Sequence, residues 1–383
     1  MLFVTEISPF PPNSGERIRS NNLIRSAIKF CDTLFLIAGS APPENIEFKK
    51  IVYVDYPILH KFGRWRNLAS LVKKNKDLLS VFKNITDTHQ IDLVWLDYNF
   101  LGQYIGFFKR RGIHVIYGTH NIQSKLNYQY PVKSLADFVY KNVRLILEHI
   151  HEQYFFSKAD AIVAVSNEDL KFYKKHFRRI KLYMIPNYIH EDDYQADGMN
   201  IKHRRVIMSG NFRAFQNRVG LSWFLNNVWD EELAKMGKFV LVGHGSAETL
   251  DELKHEMGEF VNVEAVGSVP IVNSWISESM VAVIPLLHGS GTRLKCIEAM
   301  ALKTNIVATS IGVEGIQHEG AIRVHDDAEG FREELVRALE DKLHHEEDAY
   351  TVFMKYYSSK SNTPLVQRMF EELLSPVNKI QIS

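Results

Sequence analysis

The sequence predicts an α/β fold of two domains, each a parallel sheet with crossover helices, and three observations carry that expectation. Thirteen short apolar runs alternate with helical patterns of about ten or more residues, which is how strand–helix–strand units read. The chain has 383 residues, more than one hydrophobic core usually organises. The apolar periodicity breaks at 188–203, where Glu191, Asp192, Asp193, Asp197 and Gly198 make a polar linker.

The runs in the first half are 2–7, 33–37, 51–54, 93–96, 115–117, 161–165 and 182–185. Those in the second are 206–209, 239–242, 261–265, 281–285, 305–308 and 322–324. Two Rossmann-like domains are expected, at 1–188 and 203–360. The pattern Leu365, Met369, Phe370, Leu373, Leu374 closes the chain as a helix over 361–383.

In such sheets ligands bind beyond the carboxyl ends of strands, so the strand-to-helix turns are where chemistry is sought. One turn stands out. After the run 281–285 come Gly289, Ser290 and Gly291, then Thr292, Arg293 and Lys295 at the head of a helical pattern containing Glu298. Glycines let the backbone turn tightly, and a helix start offers unpaired N–H groups and a positive dipole end to a phosphate. Arg293 and Lys295 add charge, while Glu298 is placed to accept hydrogen bonds from sugar hydroxyls.

The segment 263–315 resembles the donor half of family 4 glycosyltransferases, which are retaining enzymes of the GT-B fold. The resemblance rests on Val266-Gly267-Ser268-Val269, on Val283-Ile284-Pro285-Leu286, on Gly289-Ser290-Gly291-Thr292-Arg293-Leu294-Lys295-Cys296-Ile297-Glu298-Ala299-Met300-Ala301, and on Ile306-Val307-Ala308-Thr309-Ser310 followed by Gly312-Val313-Glu314-Gly315. Upstream matches are Thr119-His120-Asn121-Ile122-Gln123-Ser124, the run 159–166, Ile185-Pro186-Asn187, and the opening 9–19 with Ser14-Gly15. Together they span nearly the whole chain in the family's order.

The resemblance implies two Rossmann-like domains facing across a cleft, with the C-terminal helix crossing back to the first. It implies transfer of a sugar from a nucleotide-diphosphate sugar, with retention, to a glycan or lipid-linked acceptor in bacterial surface polysaccharide synthesis. Family frequency favours a UDP-sugar, and no cofactor is implied. The implied roles are His120 on the transferred sugar, Arg293 and Lys295 on the leaving diphosphate, Glu298 on the ribose and Val269 on the base through its backbone. Gly15, Gly210, Asn211, Arg213, Gly289, Ser290, Gly291 and Thr292 complete the donor side, and Arg17 and Arg19 add charge on the acceptor side. This chain departs from the pattern where Ser290 replaces a common glutamate, Glu16 a common glycine, and Lys303 and Asn305 a frequent Gly and Pro. A GT-B nucleotide-sugar 2-epimerase and a non-catalytic sugar-nucleotide-binding protein are the competing readings.

Metal catalysis is not expected. No Asp-x-Asp is present; Asp192-Asp193 and Asp326-Asp327 are adjacent pairs in polar segments, and His149 and His151 fall on different helix faces. Cys31 and Cys296 are too few for a disulfide framework, no apolar run approaches the roughly 18 residues a membrane helix needs, and 1–4 reads as a first strand. A cytoplasmic location is expected.

Net charge is formally +1, but residues 1–195 carry 27 Lys/Arg against 19 Asp/Glu, which leaves the remainder at −7. The densest basic stretch is 61–83, where Lys73, Lys74 and Lys76 alternate with apolar residues behind Trp65. A basic amphipathic helix of this kind predicts docking on an anionic membrane surface, here the inner face of the plasma membrane. Nucleic acid is not an expected partner, because no nucleic-acid-reading motif is present.

Overall fold

The computed structural model describes residues 1–12, 14–44, 46–56, 74–97, 99–120, 134–194, 201–289 and 292–375. The chain divides into two compact units, Met1–Pro186 with Asn362–Ser383, and Asn187–Ser361.

The first unit is built on β1 (Leu2–Thr5), β2 (Leu34–Ala38), β3 (Ile51–Asp55), β4 (Leu93–Asp97), β5 (His114–Gly118), β6 (Ala161–Ala164) and β7 (Lys181–Met184). All pair in parallel, in the order β3-β2-β1-β4-β5-β6-β7. Strands buried on both faces read as continuous apolar runs, and β2 and β6 are buried at every position. Its helices are α1 (Gly15–Ala27), α2 (Lys76–Thr88), α3 (Ile105–Lys109), α4 (Leu135–His151) and α5 (Asn167–His176). Phe82, Tyr104, Phe108, Tyr117 and Phe156 fill the core on one side of the sheet.

The second unit holds β8 (His203–Ser209), α6 (Phe215–Asn227), α7 (Glu231–Met236), β9 (Lys238–Val242), α8 (Ser246–Met257), β10 (Val263–Gly267), α9 (Asn273–Ser277), β11 (Ser279–Ile284), α10 (Leu294–Ala301), β12 (Asn305–Ala308), β13 (Arg323–Val324), α11 (Ala328–Leu339) and α12 (Glu346–Tyr356). Its sheet is also parallel, ordered β10-β9-β8-β11-β12-β13. Phe224, Trp229, Phe239 and Phe331 anchor its core. The expected α/β class, with two parallel sheets and crossover helices, is the one found, and each of the thirteen apolar runs supplies a strand.

The last helix, α13 (Ser359–Leu374), ends among first-unit residues. Phe370 packs edge-on to Trp95 with ring centroids 6.3 Å apart, Ser26 Oγ and Thr363 Oγ1 lie 2.9 Å apart, and the Tyr183 hydroxyl donates to Glu372 at 2.7 Å.

Two readings from sequence fall partly on described residues. The expected polar linker is built into the second unit where it is described: Glu191 accepts from the Ser359 hydroxyl at 2.8 Å, and the Tyr194 hydroxyl donates to Glu298 at 3.0 Å. Of the expected basic helix over 61–83, the described part is α2, which starts at Lys76. Asn75 caps it by accepting from the N–H groups of Asp77 and Leu78 at 2.8 and 3.2 Å, so Lys74 lies before the helix. Leu78, Phe82 and Ile85 of α2 are buried in the core of the first unit. Trp65 and Lys73 lie outside the described residues.

Lys303, which had no reading from sequence, stands just past α10 in the left-handed region (φ 51°), and its ammonium bonds Glu347 at 2.9 Å. Asn305 ties the next strand down, its side chain donating to the Leu343 carbonyl at 2.9 Å and accepting from the His345 N–H at 3.0 Å.

Candidate active site

Each sheet has one place where strand order reverses, which is where open α/β sheets take their ligands. In the first unit it lies between β1 and β4. The register puts Thr5 beside Asp97 and Asp97 beside Gly118, so three strand ends lie level, and His120 follows two residues later.

Asp97 is buried, and His120 Nε2 lies 3.2 Å from its Oδ2. Ser20, on the helix that follows β1, donates its hydroxyl to the same oxygen at 2.5 Å. Burial pushes the Asp97 carboxyl up, but the charge and hydrogen bonding of His120, with Ser20 and Arg19 behind them, hold it below the ordinary aspartate range. Gly118 leaves room for the pair: a Cβ there would come within 2.5 Å of Trp95 Nε1 and 2.9 Å of Asp97 Oδ1.

Gly15 begins α1, behind the extended residue Ser14, and is exposed. Arg17 is half-buried. Arg19, expected on the acceptor side, is 2% exposed, and its Nη1 donates to the carbonyls of Ile185 and Pro186 at 3.1 and 3.3 Å. These bonds tie α1 to the segment just past β7. Lys76 is exposed and Lys74 half-buried.

In the second unit the order reverses between β8 and β11. Beside it the chain leaving β8 approaches the chain leaving β9 closely, and a Cβ on Gly243 would meet the Gly210 carbonyl oxygen at 1.9 Å. Gly210 (φ 143°) is packed by side chains, with a Cβ there meeting Asn217 Nδ2 and Lys295 Nζ, each at 3.3 Å. Lys295 Nζ donates to Asn217 Oδ1 at 2.9 Å, and Asn217 Nδ2 donates to the Asn211 carbonyl at 2.8 Å. The ammonium is thereby fixed over the Gly210 turn. Burial, with Arg293 as a like charge nearby, brings Lys295 down to about 8.

Arg293 immediately precedes α10. Its Nε donates to the Ile311 carbonyl at 3.1 Å and its Nη2 lies 3.5 Å from Glu314. Gly289 (φ 122°) packs against this guanidinium, at whose Nη2 a Cβ would arrive at 3.1 Å. Ser290 and Gly291 lie outside the described residues. Thr292 is half-buried. One turn into α10, Cys296 donates to the Gly312 carbonyl at 3.2 Å, and burial raises its thiol to about 12, which makes it a packing residue. Glu298 accepts from Tyr194, and burial raises its carboxyl against the opposing pull of that hydrogen bond and of Lys295. Val269 is half-buried just past β10. Arg213 pairs with Glu248 at 3.0 Å on an exposed surface, and its N–H donates to Asn211 Oδ1 at 3.1 Å.

The second unit thus gathers Gly210, Asn211, Asn217, Gly289, Arg293, Lys295, Glu298 and Tyr194 about one strand reversal. Sequence reasoning passed over Asp97, Ser20 and Tyr194. Asp97 had a signal, an acidic residue closing an apolar run; Ser20 and Tyr194 had none. Among the described residues no group of three or more His, Cys, Asp or Glu is placed to hold a metal ion. Asp326 accepts from the Ser310 N–H at 2.8 Å and Asp327 caps α11, so both have structural work.

Residues 203–341 match the family model described as "Glycosyl transferases group 1". A curated relative, an "Uncharacterized 44.6 kDa protein in cps region" of Klebsiella pneumoniae, is 22% identical over 189 residues, which is 47% of this chain and 48% of the relative. This chain therefore matches about half the length of that relative. Three solved structures share the fold across almost the full chain. A sucrose-phosphate synthase from Thermosynechococcus elongatus superposes with TM-score 0.74 at 16% identity, covering 97% of this chain and 98% of its own. WaaG, described as a glycosyltransferase involved in lipopolysaccharide biosynthesis, gives 0.69 at 13% over 98% and 100%. Anabaena HepE in complex with UDP-glucose gives 0.68 at 13% over 97% and 99%.

Proposed function

We propose that this chain, which belongs through residues 203–341 to the group 1 glycosyltransferases and carries the GT-B fold, is a retaining, metal-independent glycosyltransferase. The donor is a nucleotide-diphosphate sugar with uridine as its base, in keeping with the UDP-glucose held by HepE. The acceptor is a glycan or lipid-linked glycan of bacterial surface polysaccharide synthesis, a setting shared with WaaG and the relative from the cps region. The reaction takes place in the cytoplasm.

The observation that carries this reading is the placement of Lys295 and Arg293 at the β8/β11 reversal. Departure of a nucleoside diphosphate builds negative charge, and fixed cations with backbone N–H groups stabilise it without reorganising. Lys295 is held by Asn217, and Arg293 by Ile311 and Glu314. Glu298, oriented by Tyr194, accepts from the ribose hydroxyls, and Val269 meets the base through its backbone. His120 bonds the transferred sugar, with Asp97 and Ser20 fixing its ring. The departing phosphate takes the acceptor proton on the face it leaves, so the anomeric configuration is retained.

Incubating the purified protein with a panel of nucleotide sugars, with and without acceptor glycans, tests the reading. Acceptor-dependent release of nucleoside diphosphate is the expected result. Interconversion of the sugar without acceptor points to an epimerase, and binding without turnover to a non-catalytic protein; either overturns the proposal.

A further inference from the structure

Helix α4 faces the wrong way for an ordinary domain helix. Leu135, Phe138, Val139, Val143, Ile146 and Ile150 are exposed, from 36% at Val143 to 80% at Leu135. At 100° per residue these six fall on one face, forming a stripe about 22 Å long at 1.5 Å per residue. The opposite face is polar and turned inward: Glu148 and His151 are the buried residues of α4, and Arg144 Nε donates to Glu148 at 2.8 Å. A helix that buries its ion pair and shows its aliphatic side chains marks a contact surface, since scattered exposed apolar residues are ordinary but a contiguous stripe is not.

The stripe ends in a cationic corner. Tyr154, one turn beyond α4 and 57% exposed, lies under Lys158, whose Nζ is 3.4 Å from the ring centroid. Lys74 meets Arg110 and Lys158 there as like charges, which together with burial hold its ammonium below the ordinary lysine value. The polar residues on the exposed side of α4 are Ser134, Asn142 and His149, with no carboxylate among them. An anionic leaflet supplies both an apolar layer for the stripe and phosphates for the cations, with a tyrosine at the boundary.

We propose that α4 is a membrane-docking helix, lying in the plane of an anionic leaflet with its aliphatic face among the acyl chains and the Lys74–Arg110–Lys158 corner against lipid phosphates. This does not rest on glycosyl transfer.

The full-length protein should sediment with vesicles of phosphatidylcholine and phosphatidylglycerol at low salt, and not with phosphatidylcholine alone. Ile146→Asp/Ile150→Asp should abolish binding. Arg110→Glu/Lys158→Glu should weaken it by about 30-fold or more, at roughly fivefold per cation removed. Thermal shift by uridine diphosphate, read on the same variants, should stay as in the parent protein and so reports that they fold. Indifference of the parent protein to anionic vesicles overturns the proposal, as does full binding by the double aspartate variant. A dimer in solution that the double aspartate variant dissociates, without vesicle binding, assigns the face to a second copy instead.

Discussion

Asp97 and His120 form a buried pair at the β1/β4 reversal: His120 Nε2 lies 3.2 Å from Asp97 Oδ2, the oxygen that also receives the Ser20 hydroxyl. Because β1, β4 and β5 end in register, Thr5, Asp97 and Gly118 come level, and the two residues past β5 carry His120 to the carboxylate. A ring held in this way has little freedom to turn, and fixed orientation is what a sugar hydroxyl contact needs.

Asp97→Asn should therefore lower kcat by about 10²-fold, the scale of an ångström's misplacement, with a smaller change in KM. Steady-state kinetics beside Ser20→Ala, expected to be milder, checks this. Parent-like kcat in Asp97→Asn would leave His120 without a positioning partner.

The same carboxylate has a stability signature. Its folded-state pKa is depressed, so its contribution is present above the unfolded aspartate value of about 3.9 and is lost as pH falls through the folded value. Urea midpoints taken downward from pH 6 should fall more steeply below about pH 4 in the parent protein than in Asp97→Asn. Parallel curves would count against a charged Asp97.

The fold was legible because parallel strands buried on both faces are continuous apolar runs, and the β1, β4 and β11 runs could hardly be read otherwise. Gly289, Arg293, Lys295 and Glu298 drew notice in the sequence because glycine and charge at a strand-to-helix junction carry their own physics. Tyr194 was not, since it sits in an acidic stretch that reads as a linker, and only tertiary contact brings its hydroxyl to Glu298. The outward face of α4 was hidden for a related reason: periodicity shows that a helix has two faces but not which of them turns inward.

Glu298→Gln should weaken uridine diphosphate binding by about 1–3 kcal/mol, as expected for a charged hydrogen bond left unmade. Tyr194→Phe, which removes only the orienting hydroxyl, should weaken it by about 1 kcal/mol. Isothermal titration with uridine diphosphate measures both. Unchanged affinity in Glu298→Gln would take Glu298 out of the site.

Replacing Arg293 or Lys295 by alanine should cost about 10²-fold or more in rate, as for loss of one donor to a developing anion. Activity should persist in chelator. A strict requirement for added magnesium or manganese, or full activity in the double alanine variant, would contradict leaving-group stabilisation by fixed cations.

Lys295 also makes nucleotide binding pH-dependent. Burial beside Arg293 brings it to about 8 in the folded protein, so its charged form costs stability below that pH, and the cost is relieved as pH rises toward the unfolded value of about 10.4. A diphosphate selects the ammonium, so above pH 8 binding must take up a proton and the affinity for uridine diphosphate must fall. Titrations in two buffers of different ionisation enthalpy should show that uptake in the parent protein. Lys295→Met should bind more weakly at neutral pH and show neither the uptake nor the decline. Proton uptake that survives in Lys295→Met would assign the titration to another group and remove Lys295 from the diphosphate.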